Sequence, residues 1–160
     1  MTSPYWIKAQ ETHNFTVGNI LSPFASYKGT PGAGTSDTWH NASQIWADSL
    51  MVRLGDGRYQ AYMNQTLKRY MRFLWDNGNP ARGYFARANL DGSNVDKTLK
   101  YVDDNALTGV AYLDAYDVTH ESNQRVPTLL LRGPSQIGSC SVMYGHDIRW
   151  RLLVKDWGTA

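Results

Sequence analysis

Residues 36–75 read SDTWHNASQIWADSLMVRLGDGRYQAYMNQTLKRYMRFLW, and their periodicity decides the fold. Ser36 or Asp37 offers a short polar side chain at a helix start, and Trp39, Ala42, Ile45, Trp46 and Leu50 recur at steps of three and four residues, which predicts a helix through about Leu54. Gly55 closes it. After the turn Gly55 to Gly57, a second helix is predicted from about Arg58 to Trp75, with Tyr59, Tyr62, Met63, Leu67, Tyr70, Met71 and Leu74 inward, before Gly78 and Pro80 stop it. So short a connection folds the two helices back on each other. An antiparallel helical hairpin is the repeating unit of an α/α barrel. Upstream, Met1 to Thr35 reads as irregular, broken by Pro4, Pro23, Pro31, Gly29, Gly32 and Gly34, with at most a short helix near Pro4 to Asn14. Downstream, Gly83, Tyr84, Phe85 and Ala86, followed by Asn89, Asp91 and Gly92, predict a short strand or hairpin inside a long loop from Asn77 to Lys100.

That loop delivers the chain to Tyr101–Thr119, YVDDNALTGVAYLDAYDVT. Leu107, Val110, Ala111 and Leu113 lie near helical spacing, so Asp103 and Asp104 fall in the first turn, facing a cleft. A helix mouth favours an anion, whereas two adjacent like charges disfavour double ionisation. One ionised acid beside one protonated acid suits glycoside hydrolysis, where one carboxylate attacks or activates water and the other protonates the departing oxygen. The competing use is structural: Asp is a favoured N-cap, and Asn105 can share the capping.

The string of two aspartates and an asparagine, then an apolar helix closing on Ala115, Tyr116 and Thr119, resembles the catalytic segment of family 76 glycoside hydrolases, the α-1,6-mannanase group. The resemblance runs over roughly Trp39 to Thr119. It implies an (α/α)6 barrel, with Asp103 as nucleophile and Asp104 as general acid and base of a retaining mechanism. Leu107 and Thr108 depart from it, standing where bulky aromatics are usual. Other α/α toroid enzymes, including unsaturated glucuronyl hydrolases and sugar 2-epimerases, are similar in placing acids and aromatics at helix mouths. Tyr84, Phe85 and Arg87 are candidate sugar contacts because their loop leads to the acids, with packing under the loop as the alternative use. His40 and Gln44 lie one turn apart on a helix. With Trp39, Tyr101 and Asn105 they complete the candidate substrate-binding set. A carboxyl separation of about 5 to 5.5 Å favours retention and one of about 6.5 to 9.5 Å inversion.

The 160 residues make one domain's length, and 42% apolar content is ordinary for a globular chain. A net charge of +2 with no Lys or Arg run argues against nucleic acid, and no apolar run of about 18 residues crosses a membrane. Six Trp, ten Tyr and four Phe suit an oligo- or polysaccharide partner, although aromatics fill cores equally well. Neither a cofactor nor a metal is expected: His13, His40, His120 and His146 show no ligand spacing, and no glycine-rich phosphate loop follows a strand. With Cys140 alone, no intrachain disulfide forms. The N-terminus lacks a signal peptide, while sequons at Asn14, Asn41 and Asn64 point to a secreted relative, so the compartment stays open.

From Asn123 to Ala160 the helical phase is lost, which sets residues 1–122, a toroid-like domain, apart from an irregular tail, 123–160. Codons synonymous for Asp147 to Val154 exist whose frame shifted by one nucleotide reads T-F-G-G-G-F-W, similar to a Gly-Gly-Gly-aromatic stretch of the resembling family. The tail is therefore expected to be translated out of frame, an expectation that an in-frame locus with no upstream slip would exclude. Six hairpins need roughly 300 residues or more. The expected architecture is thus all-α, a partial (α/α)6 toroid whose uncovered apolar faces favour self-association. Two functions fit it: a retaining two-aspartate glycosidase acting on α-mannan, or a catalytically silent helical module that binds sugar or a protein partner.

Overall fold

The computed structural model describes residues 3–78 and 82–120. Expectations for Pro80, Cys140, His146 and the tail 123–160 lie outside them. The helical hairpin forms as its periodicity requires. Asp37 caps helix α2 (Thr38–Arg53) by accepting the backbone N–H of His40 at 2.8 Å, and Gly55, at φ +100°, turns the chain away after it. Helix α3 (Arg58–Gln65) then runs into a π-helical turn, Thr66–Tyr70, and a last helical turn, α4 (Met71–Leu74). The predicted single helix is one continuous run with an inserted residue's worth of rotation. That rotation keeps Thr66, Leu67, Tyr70, Met71 and Leu74 all buried.

Two departures concern the flanks. The segment read as irregular contains helix α1 (Pro4–Asn19), five residues longer than the short helix expected to end near Asn14. Pro4 suits a first turn, Thr12 and Thr16 bond back to the carbonyls of Lys8 and Thr12, and His13 docks edge-on against Tyr59 with ring centres 4.2 Å apart. The apolar stripe of α2 is also rotated. Trp39, Trp46 and Leu50 are exposed by about two fifths, while Thr38, Asn41, Ala42, Ile45, Asp48 and Ser49 are buried. The helix packs along α5 (Val102–Thr119), whose buried positions are Asp104, Thr108, Ala111, Tyr112 and Ala115, while the buried polar Thr38, Asn41 and Asp48 bond to Phe85, Tyr27 and His13. Leu107, Val110 and Leu113 are only half buried.

Helices α2 and α5 run parallel. Their N-terminal ends share a cleft, and at the other end Arg53 of α2 reaches Asp114 of α5 at 3.0 Å. The run from α3 to α4 is the return path between them. The core between these elements holds Ala42, Ile45, Met63, Tyr70, Met71, Leu74, Tyr84, Ala111 and Ala115. Two short antiparallel ladders fasten the long loop over it. Strand β1 (Thr35–Asp37) pairs with β4 (Arg87–Asn89), Ser36 opposite Ala88, and β2 (Trp75–Asp76) pairs with β3 (Gly83–Tyr84). The strand expected in this loop is present, though half of its pairing lies with residues before α2. The buried Tyr70 hydroxyl ties the first ladder to the core, 3.1 Å from Ser36 O and 3.2 Å from Asn89 O. The sequon at Asn41 is closed to a glycan in the folded chain, since that side chain is fully buried and bonded.

Gly92 closes the turn after β4 at φ +83°, and a Cβ there would stand 2.3 Å from Phe73 Cδ2. Both the backbone conformation and the contact exclude a side chain. Gly92→Ala should therefore cost about 1–3 kcal/mol, read as a lowered thermal midpoint; an unchanged midpoint would show that Phe73 swings away freely.

Candidate active site

The cleft at the shared helix mouth holds about 320 Å³. Strand β1 brings Thr35 and Asp37, the start of α2 brings Trp39, the loop entering β4 brings Ala86 and Arg87, and the mouth of α5 brings Tyr101 and Asp104. The first ladder places Asp37 opposite Arg87, and Thr38 bonds across to the carbonyls of Phe85 and Ala86 at 2.6 and 2.8 Å. These bonds fix the two walls against each other.

Asp103 and Asp104 are the second and third residues of α5. Tyr101 occupies the N-cap position with no side-chain bond, so neither acid is the cap, and Asn105 does not cap either. Asp103 is exposed, and its Oδ1 accepts the backbone N–H of Asp104 at 3.0 Å. Asp104 is 7% exposed and lines the cleft. Burial first, then the negative charges of Asp103 and Asp37, together push its carboxyl up to about 6, with His40 opposing them. The two acids thus sit in unequal surroundings, one wet and one shielded. Across the mouth, Asp37 Oδ1 lies 2.5 Å from His40 Nδ1, and the His40 ring rests on Gly29, where a Cβ would come within 3.1 Å of Cε1.

Of the residues singled out from sequence, Trp39, Arg87, Tyr101 and Asp104 meet in the cleft, Asp103 stands exposed next to Asp104, and His40 reaches the mouth through Asp37. Four others serve elsewhere. Gln44 is drawn into a half-buried network with Asp48 at 2.8 Å and His13 at 3.3 Å. Tyr84 is a core residue, 5.1 Å from the Trp75 ring and 6.0 Å from Tyr112. Phe85 lies under the Lys100 ammonium at 4.7 Å. Asn105 brackets β3, accepting from Tyr84 N at 2.7 Å and donating to Tyr84 O and Tyr101 O at 3.1 and 2.8 Å. Packing under the loop, the alternative use, describes Tyr84. Thr35, Ala86 and the wall role of Asp37 escaped sequence reading, because three-residue strands carry no alternation to detect. Among the described residues no group of three or more His, Cys, Asp or Glu side chains gathers to hold a metal.

No family model and no curated protein sequence matches the chain. Among solved structures it is similar to a D-mannose isomerase, with a TM-score of 0.59 and 18% identity over 70% of this chain and 30% of that one. It is likewise similar to cellobiose 2-epimerase from Bacillus thermoamylovorans B4167, with a TM-score of 0.59 and 13% identity over 76% of this chain and 36% of that one. The fold is an open arc of an (α/α)6 toroid. The all-α partial toroid expected from sequence holds, and the resemblance narrows to the helical barrel class that these sugar enzymes share. The chain spans about a third of the length of each neighbour.

Proposed function

We propose that the chain carries the acid-bearing sector of a retaining glycosidase site of the family 76, α-1,6-mannanase type. The observation that carries this reading is the unequal pair: Asp104, shielded and raised to about 6, beside the exposed Asp103 at a mouth lined by Trp39 and Tyr101. In the proposed reaction, protonated Asp104 gives its proton to the glycosidic oxygen as an Asp103 oxygen bonds to the anomeric carbon and the leaving sugar departs. Asp104, now a carboxylate, then takes a proton from the water that displaces Asp103. Trp39 and Tyr101, each nearly half exposed, offer faces for the sugar ring.

A second reading, a helical module that binds sugar without turning it over, is favoured by the engagement of Gln44, Tyr84, Phe85 and Asn105 away from the cleft. Positioning supplies a large part of barrier reduction, so walls contributed by other hairpins matter as much as the acids. The chain alone is expected to bind α-1,6-linked mannooligosaccharide through Trp39, to hydrolyse α-1,6-mannan at most in traces, and to associate on size exclusion through Trp46, Leu50 and Leu54, which are 39%, 40% and 70% exposed. Robust hydrolysis by a compact monomer, abolished by Asp104→Asn, would remove the silent-module reading and establish the glycosidase. Interconversion of free mannose with its ketose or epimer would overturn the hydrolytic assignment. Absence of both binding and turnover would sink both readings.

A further inference from the structure

A second cavity, of about 260 Å³, is lined by Phe24, Arg69, Arg72, Phe73 and Asp91. None of these residues lines the acid cleft. The turns that carry Phe24 and Asp91 are held by hydrogen bonds. Phe24 stands half exposed on a turn closed by Ser22 N to Ser26 O at 2.8 Å, with the two serine hydroxyls 2.7 Å apart and Ala25 in the left-handed region at φ 64°. A non-glycine residue held there marks a conformation that its surroundings impose. Ser26 Oγ donates to Leu90 O at 2.9 Å, which anchors the turn beside Asp91. Phe73, also half exposed, lies over Gly92, and the Arg72 guanidinium lies 5.7 Å from its ring centre. Arg69 and Arg72 are exposed and form no ion pair among the described residues. Asp91 turns Oδ1 to Ser93 N and Oγ at 2.9 and 2.6 Å, which leaves Oδ2 to accept a hydroxyl.

Two unpaired guanidinium groups, two aromatic faces and one acceptor carboxylate match a ring that carries hydroxyls and a single negative charge. Guanidinium forks bind a carboxylate in bidentate fashion, and aromatic faces take the apolar side of a pyranose. Two cations and one anion leave a local charge of +1, which suits one carboxylate better than a phosphate dianion. The volume lies just below the range of about 300–1,000 Å³ usual for drug-sized ligands, so the site takes one ring of a longer chain. We propose that this cavity is a second carbohydrate site, specific for a uronate unit of an acidic oligosaccharide. It does not depend on the hydrolytic reading of the acid cleft.

Calorimetric titration of the full chain with trigalacturonate, with citrate as a carboxylate lacking a ring, tests it. The expected result is binding of trigalacturonate and not of citrate, weakened at least tenfold by the double substitution Arg69→Gln, Arg72→Gln and by Phe24→Ala. Trp39→Ala, in the acid cleft, should leave that binding unchanged. The exposed position of all three substituted residues allows circular dichroism to verify that the fold is kept. Equal binding of citrate, loss of binding on Trp39→Ala but not on the arginine substitutions, or no binding of trigalacturonate at millimolar concentration would each overturn the proposal.

Discussion

Asn41→Leu should lower the stability of the chain by about 3–5 kcal/mol, more than any exposed substitution in the cleft. Asn41 is fully buried on α2. Its Oδ1 accepts the backbone N–H of Tyr27 at 2.9 Å, and its Nδ2 donates to Ser36 Oγ and to Asp37 O, each at 2.6 Å. Leucine fills a similar volume yet leaves the buried Tyr27 N–H without an acceptor, at a cost of about 1–3 kcal/mol, and removes two further bonds worth about 1 kcal/mol each. The same three bonds hold β1 against the start of α2. Asp37 and Trp39 should therefore lose their positions together, so the sugar binding proposed for the cleft ought to fall along with the urea midpoint. A variant within about 1 kcal/mol of the parent would mean that water or a neighbour replaces the amide.

Asp104→Asn carries the other large effect, and its sign is set by pH. The folded carboxyl titrates near 6 against an ordinary 3.8, so between those values the folded chain binds more protons than the unfolded one. Stability then falls as pH rises from about 4 through about 6 and levels off above, because the shielded carboxylate is less well solvated than in the unfolded chain. The full gap corresponds to at most about 3 kcal/mol. Asparagine keeps the shape without the charge, so Asp104→Asn should be more stable than the parent at pH 7.5 by about 1–3 kcal/mol and nearly equal to it at pH 4. It should also lose any turnover. Parallel stability profiles for the two proteins across this range would show that Asp104 is solvated, which removes the physical basis for its role as the acid.

The hairpin was legible because its cues were local: an Asp beside a three-and-four periodicity, a glycine where the chain must turn with positive φ, then a second periodic run. The first turn of α5, which carries Asp103 and Asp104, is legible for the same reason. What escaped depended on contacts distant in sequence. Tyr84 and Asn105 read as exposed candidates, yet each is held by the other across 21 residues. Trp39, Trp46 and Leu50 share a three-and-four periodicity with Ala42 and Ile45, yet hydrophobicity alone does not assign the buried face: close approach to α5 selects Ala42, Ser49 and Thr108. The full length of α1 is masked by the prolines and glycines between residues 23 and 34, although none lies between Pro4 and Gly18.

The parallel course of α2 and α5 follows from one bookkeeping rule of direction. Each outbound helix needs a return run of similar length, here α3 through α4, so successive outbound helices always deliver their first turns to the same rim. Of the outbound helices, the opposite rim receives the last turns, joined here by Arg53 and Asp114. Every hairpin added by the same connection would therefore contribute one more set of first-turn side chains to the cleft while leaving the seam between existing neighbours untouched. Chemistry at the rim and cohesion along the seam can change independently, so a sector of this kind can keep its shape while the side chains at its rim vary.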